Sequence, residues 1–480
     1  MKYLFIISMF CYTLAISCGK SFLDSPPQDR VAREAYTTSL NACEELLRGC
    51  YLQLSNAYGE CASYYADLAA DNIKTISGMD YFLNIYAWKM KATPETNTYF
   101  TGGEYNVNLL AYRFYGVIRN VNYVLEKTAE LKNENTAQAN QLTASALTIR
   151  AISHFLLVNL LAQPYNFTPQ GTHPGIVYVT GSDWSQPVKG REPVADIYRY
   201  LREDLQQAAG ILQPIRDSNT TVSRELAYAF LSRVFLYSGD YTAALESAKK
   251  ALDGHPLLTV DQGYPDDMFR NLQLSRSESY FQLLPGTSEA LKYRGGGSFP
   301  GVFFRQAIMF TATADITNAL QSDTTDVRNK WVEQGVNGWN IIKFPAGAVP
   351  GVTPESSAYF MPVIRVSEVM LNAAEAAYNL QQTGIAQEYL NQIRLRAKPG
   401  ATSVFPTGTA LMDSIRMERH KELAFEGSRL FDLLRWKMPV VRTDPSVPEA
   451  ATLPFPDNRA IAPIPQLDVS APSVVQNPGY

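Results

Sequence analysis

The stretch Leu411–Trp436, LMDSIRMERHKELAFEGSRLFDLLRW, constrains the fold more than any other part of this 480-residue chain. At 100° per residue, Leu411, Ile415, Glu422, Glu426, Arg429 and Leu433 fall on one helical stripe, with Glu418 and Arg419 beside it. The apolar members mark that stripe as the buried one. Its charges must therefore be buried too, and buried charges persist only when paired. Both signs recur at i+3 and i+4 spacing, with Asp432 and Arg435 following on. One reading makes Glu418, Glu422 or Glu426 acid/base carboxylates, which would need two acids with separated pKa values. The neighbouring Arg419, Arg429 and Arg435 hold acids ionised instead, so we read a structural ion-pair network and no catalytic group. Gly427 is expected to bend the helix or admit another backbone.

At the other end, MKYLFIISMFCYTLAISC carries Lys2 and then an uncharged, mostly apolar run from Tyr3 to Ile16. That run is shorter than the ~20 residues a spanning helix needs, and it reads as a signal-peptide core over residues 1–17. Ala15-Ile16-Ser17-Cys18 resembles a lipobox, which makes Cys18 the expected lipidation site, with residues 18–30 as a tether containing Pro26-Pro27. Removing residues 1–17 leaves 41 basic against 46 acidic side chains, a net −5 that argues against a nucleic-acid partner. Cys43 and Cys50 lie two helical turns apart, roughly 10 Å, too far for a disulfide, and with Cys61 they read as buried thiols. His154, His173, His255 and His420 form no HExxH motif, and Arg294–Ser298 lacks the GK[ST] of a phosphate loop. No metal or cofactor is expected.

Helical periodicity organises the rest. A helix is expected from an Ser39 N-cap through Leu54, then over Asn106–Leu131, Gln138–Leu161 and Val194–Leu212, with Pro193 suited to the N1 position. Periodicity fails between Ala57 and Gly103, and GIVYVT (Gly175–Thr180) reads as extended. Glu225–Pro256 resembles a tetratricopeptide repeat. Tyr228, Leu231, Ser232 and Phe235 hold the helix A packing positions, Gly239-Asp240-Tyr241 makes the turn, and Ala244, Ala248 and Ala251 line helix B. A degenerate second unit spans Arg365–Ala397, with Gly384 as its turn. Such units bury their faces only against neighbours. Between them, Leu257–Val363 is rich in Gly, Pro and aromatics, has strand-like bits such as Gly301–Phe304, and is too long for one loop.

The motif ER-x-x-EL-x-FEG-x-R-x-x-DL-x-RW over Glu418–Trp436, with QNPGY at the C-terminus and RA-x-x-x-F at Arg150–Phe155, resembles the SusD/RagB family. The resemblance implies an all-α fold, a tetratricopeptide-like helical solenoid with a large irregular insert. The expected division is 31–256 for the N-terminal helical region, 257–363 for the ligand-facing insert and 364–480 for the C-terminal region with an extended tail. It also implies a non-catalytic, lipid-anchored protein of the cell outer membrane that captures oligosaccharide for a SusC-like, TonB-dependent transporter. Peptide is the alternative ligand, as in RagB-like relatives, and a glycoside hydrolase the alternative activity.

Sugars present apolar C–H faces and hydroxyl rims, so a site needs flat aromatic rings with amide, carboxylate or guanidinium groups beside them. Two stretches supply both. The first runs from Asp71-Asn72 through Asp80, Tyr81, Asn84, Tyr86 and Trp88; the second comprises Tyr293, Arg294, Trp331, Trp339 and Asn340. These ten from Asp80 onward are the candidate ligand-binding residues.

Overall fold

The computed structural model describes residues 33–76, 78, 80–93, 100–183, 185, 189–214, 219–265, 267–270, 278–283, 309–344, 361–466, 471 and 473–480. The lipobox, the tether, Gly301–Phe304, Tyr293 and Arg294 lie outside these residues.

The first long helix, α1 (Leu40–Ala57), starts at Ser39, whose side chain accepts the Ala42 N–H, as the N-cap reading expects. It does not stop where the sequence periodicity fails. The chain continues through a π-helical segment, Tyr58–Ala62, into α2 (Ser63–Leu68), whose residues are all buried. A helix buried on every side has no amphipathic stripe to read. After the short strand β1 (Ile73–Thr75), α3 (Asn108–Glu130), α4 (Thr136–Leu161) and α5 (Val194–Ala209) follow within about three residues of their expected bounds. Pro193 sits at the N-cap of α5, one place earlier than expected, and Gly175–Thr180 is extended, with Gly175 and Ile176 exchanging main-chain hydrogen bonds with Glu192 next to an isolated Pro174–Pro193 bridge.

The repeat unit is a helical hairpin, α6 (Arg224–Tyr237) and α7 (Tyr241–Leu252), turned by Gly239 at φ +78°. Next come β2 (Ser279–Leu283), β3 (Phe310–Ala312), α8 (Ala314–Gln321), β4 (Val332–Gly335), β5 (Gly338–Ile341) and β6 (Met361–Arg365). The second hairpin is α9 (Val366–Asn379) and α10 (Thr383–Ala397). Its turn is made by Gln381, at φ +60°, while Gly384 lies inside α10. A left-handed glutamine where glycine would be easier leaves no compositional mark.

Successive helices pack on their chain neighbours: α1 on α3, α3 on α4, α4 on α5, α5 on α6, and α6 on α7. Then α7 packs on α9, across the chain between Leu252 and Val366, and β2 and β6 from that interval pack on α6. One contiguous apolar cluster runs from Leu40 to Val474. The protein is mainly helical, but the strands add what an all-helical expectation lacks. β1, β3, β5 and β4 form an antiparallel sheet in that order, and β2 pairs with β6.

The stretch Leu411–Trp436 is two helices, α11 (Gly408–Glu422) and α12 (Arg429–Arg435), broken by an irregular turn. Gly427 explains the break. Its φ is +78°, and a Cβ there would lie 2.6 Å from the Ser63 carbonyl oxygen. The glycine admits the α2 backbone, which matches one of its two expected roles.

Candidate functional site

The charges of α11 and α12 make no open site. Glu422 takes Arg365 Nη1 (2.7 Å) and Arg396 Nη2 (2.6 Å) on one oxygen, and the Tyr264 hydroxyl (2.8 Å) on the other. Arg328 reaches Glu418 (2.7 Å), Glu422 (3.2 Å) and Asp326 (2.7 Å). Lys343 binds Glu426 (2.6 Å) and the Glu422 and Ala424 carbonyls, and Arg365 and Arg396 share Glu278. With Lys421 on Glu418 and Asp326, five cations meet five anions, all buried except Glu426, whose side chain is 9% exposed. An adjoining group sets Arg233 against Glu368, Arg419 against Asp432, and Arg435 against Glu375 and Asp432. Arg429 leaves this cluster to grip both oxygens of Asp71 (2.7 and 2.8 Å).

Burial alone would push the Glu422 carboxyl up; Arg396, Arg365, Arg328 and Lys343 outweigh it and hold the group well below the usual carboxylate range. Glu418, Glu426 and Asp432 follow the same pattern, burial opposed by paired cations. None is poised to exchange a proton near neutrality. Glu278 precedes β2, Arg328 and Lys343 flank the β4–β5 pair and Arg365 ends β6, so the network fastens these strands to α11.

The candidate aromatics divide sharply. Trp88 is 2% exposed, donates its indole N–H to the Ala69 carbonyl (2.8 Å) and lies 4.4 Å from the Arg442 guanidinium. Tyr86 is buried on the other side of that guanidinium (3.8 Å), its hydroxyl accepting the Ser446 N–H. Asn84 is buried and donates to the Tyr105 carbonyl. Trp331 is 1% exposed beneath Lys343 (3.8 Å) and edge-on to Tyr264 and Phe269. These four are core, and the expectation of them as ligand contacts is corrected. A ring sealed between a cation and other rings has no face left for a sugar.

Asp80 is exposed, Tyr81 is 44% exposed, and Trp339 and Asn340 are half-buried. The sheet brings their distant segments together. β1 pairs with β3, Thr75 opposite Phe310, and Ala312 stands opposite Trp339 of β5. Phe82, next to Tyr81, packs its ring 5.1 Å from Phe310. Two stretches some 250 residues apart thus meet on one four-stranded sheet. A cavity lined by Tyr58, Phe155, Arg233, Glu368 and Phe431 encloses about 30 Å³. That is room for a water, not a sugar.

Sequence reasoning missed Arg442. Its guanidinium donates to the carbonyls of Leu68, Ala70, Tyr86 and Ala450 while lying between Tyr86 and Trp88. Burial lowers it to about 10. No carboxylate at helical spacing announces such an arginine.

Acid should weaken the fold in two stages. Burial lowers His154 and His420 to about 3, so between pH 6.5 and 4.5 the unfolded chain takes up protons that the folded chain refuses. His173 is lowered in the same direction. Asp67, pushed up to about 7 by burial, opposes them, because its folded form takes up a proton first. The histidines outnumber it, and stability should fall by about 1.4 kcal/mol per pH unit for each net proton. Below about pH 4.5 the depressed carboxylates join: Glu418, Glu422, Glu426, Asp432 and Asp71, the last held at about 2 with Arg429 outweighing burial. Urea unfolding at pH 7.5, 5.5 and 4.0 checks the order; a gain in stability from 6.5 to 4.5 would contradict it.

The fold is a helical scaffold carrying a small sheet, with half-buried Trp339 on strand β5 and Tyr81 accessible on the turn that follows β1. The SusD family model matches residues 313–480, and a family model described as starch-binding associating with outer membrane matches residues 21–236. The SusD-like protein P2 of Formosa agariphila is 26% identical over 384 residues, 71% of this chain and 74% of that protein. A SusD superfamily protein of Bacteroides thetaiotaomicron superposes with a TM-score of 0.79 at 27% identity, covering 92% of this chain and 100% of that one. A laminarin-binding SusD-like protein has the same fold, with a TM-score of 0.69 at 20% identity over 92% of this chain and 99% of its own. The chain belongs to the SusD family.

Proposed function

We propose that the protein is a non-catalytic receptor that captures an oligosaccharide beside the small sheet, on the accessible rings of Tyr81 and Trp339, with Asp80 next to Tyr81 in the chain and Asn340 on the opposite face of β5 from Trp339. The observation that carries this reading is the pairing of β1, β3 and β5, which brings the strand of Trp339 to the segment that leads on to Tyr81. A laminarin-binding relative and a family described as starch-binding support the saccharide class. In this reading the lipid on Cys18 holds the protein at the outer membrane, where it passes ligand to a SusC-like, TonB-dependent transporter. Tyr293 and Arg294 belong to the same proposal from sequence alone.

A glycan array probed with the soluble chain Gly19–Tyr480, with peptides as controls, tests the ligand class. Trp339→Ala and Tyr81→Ala should each weaken binding of a retained oligosaccharide by about 1–3 kcal/mol, the range for truncating a strong contact, with little change in melting. Retention of peptides but no glycan would replace the saccharide reading. Cys18→Ala should remove the protein from the outer-membrane fraction, abolish labelled palmitate incorporation and slow uptake of labelled oligosaccharide. A variant that still fractionates with membranes and takes up palmitate would sink the anchor assignment.

A further inference from the structure

The connection between α10 and α11 is held in an unusual way. Residues 401–407 run without a turn or bend, and α10 grips every second residue. Arg394 Nη1 donates to the Thr402 carbonyl (2.8 Å), and Gln387 Nε2 donates to the Pro406 carbonyl (2.9 Å). Between them, Asn391 donates Nδ2 to the Val404 carbonyl (2.8 Å) while its Oδ1 accepts the Val404 N–H (2.9 Å). The spacing explains the fit. Residues one helical turn apart are about 5.4 Å apart along the axis, close to the roughly 6.7 Å between alternate residues of a strand. Three α10 side chains therefore act as a neighbouring strand would.

In extended backbone the N–H and C=O of one residue point to one edge, and those of its neighbours to the other. With Val404 turned to α10, Ser403 and Phe405 present their N–H and C=O groups to the opposite edge, where no hydrogen bond to any described residue meets them. Ser403 is exposed, and Phe405 is 71% exposed, beside half-buried Val404 and Pro406. This phenylalanine is left in water, unlike core rings such as Phe281, Phe310 and Phe425.

We propose that Thr402–Thr407 is a preformed docking strand that accepts an extended polypeptide segment of another protein by main-chain pairing at Ser403 and Phe405, with the Phe405 ring as its side-chain anchor. Two residues offering donor and acceptor about 7 Å apart complement a peptide backbone, because that repeat belongs to extended chain. The charges on the flanking helices that are not buried cancel, Arg394 and Arg416 against Glu388 and Asp413, so the complementary segment carries little net charge. A second copy of this chain is a poor occupant. Two six-residue strands bury far less than the ~1,200 Å² of a stable interface. On that edge the Ala401 N–H is already taken by the Lys398 carbonyl and Thr407 is the N-cap of α11, which limits the ladder to these two residues, and binding should be weak and reversible.

The test uses the mature chain and a phage-displayed library of linear peptides, with selected sequences synthesised and titrated. In the free protein, residue-resolved hydrogen exchange should find Val404 protected and Ser403 and Phe405 fast; a bound peptide should slow these two. Ser403→Pro deletes one edge donor and should weaken the peptide about tenfold, near the upper value of one hydrogen bond. Phe405→Ala should weaken it similarly without moving the melting temperature, and an N-methylated peptide should fail to bind. The proposal falls if Ser403 and Phe405 are already protected in the free chain, whether by its own tail or by a dimer seen in light scattering. It falls equally if selected peptides leave both amides fast, or bind Ser403→Pro as tightly as the parent.

Discussion

Glu422→Gln should cost about 3–5 kcal/mol of stability, the range for breaking one partner of a buried pair. The carboxylate receives Arg365, Arg396 and Arg328 and the Tyr264 hydroxyl, with no exposed surface of its own. Glutamine keeps the volume but removes the charge, and its amide N–H groups then face guanidinia that can only donate. Five buried cations would face four anions. Because Arg328 and Lys343 flank the β4–β5 pair and Arg365 ends β6, the loss should loosen these strands as well as α11. Chemical unfolding with separate probes in insert and stack would show it. Glu130→Gln, in the exposed pair with Lys127, is the control and should change nothing measurable. Parent-like melting for Glu422→Gln, together with lost turnover of some glycan, would bring back the catalytic reading of these acids.

Trp88→Ala should cost a similar ~3–5 kcal/mol, as for other buried Trp truncations, while leaving saccharide affinity unchanged in the protein that remains folded. The indole closes three contacts at once: its N–H on Ala69, the Arg442 guanidinium across its face, and the apolar core. Its backbone sits at φ +55°, a region bulky residues rarely occupy, and these contacts hold it there. Trp339→Ala is the opposite case, with a half-buried ring on a sheet surface. The pair separates core from site. Calorimetry and melting on both variants should give a stability loss without an affinity loss for Trp88, and the reverse for Trp339. Unchanged melting with abolished binding in Trp88→Ala would return that ring to the ligand surface.

What the sequence by itself determined was whatever a residue's near neighbours decide. The Ser39 cap, the bounds of α3 to α5 and the α6–α7 hairpin with its Gly239 turn were legible, because capping and helical periodicity act within a few residues. The buried charge of Glu418–Arg435 was legible for the same reason, since one stripe carries both apolar and ionised groups. Its partners were not. Glu278, Arg328, Lys343 and Arg365 stand 57 to 144 residues before Glu422, and only the return of the insert brings them to it. The aromatics show the limit most clearly. Tyr81 and Trp88 lie in one run of similar composition, yet one ring reaches solvent and the other is sealed. Which way each faces depends on Phe310 and Arg442, more than 200 residues away, through contacts that exist only once the sheet has formed and the C-terminal tail has closed over it. Tertiary structure alone decided which rings remain available to a ligand, because burial belongs to the assembled chain and not to any residue or its neighbours.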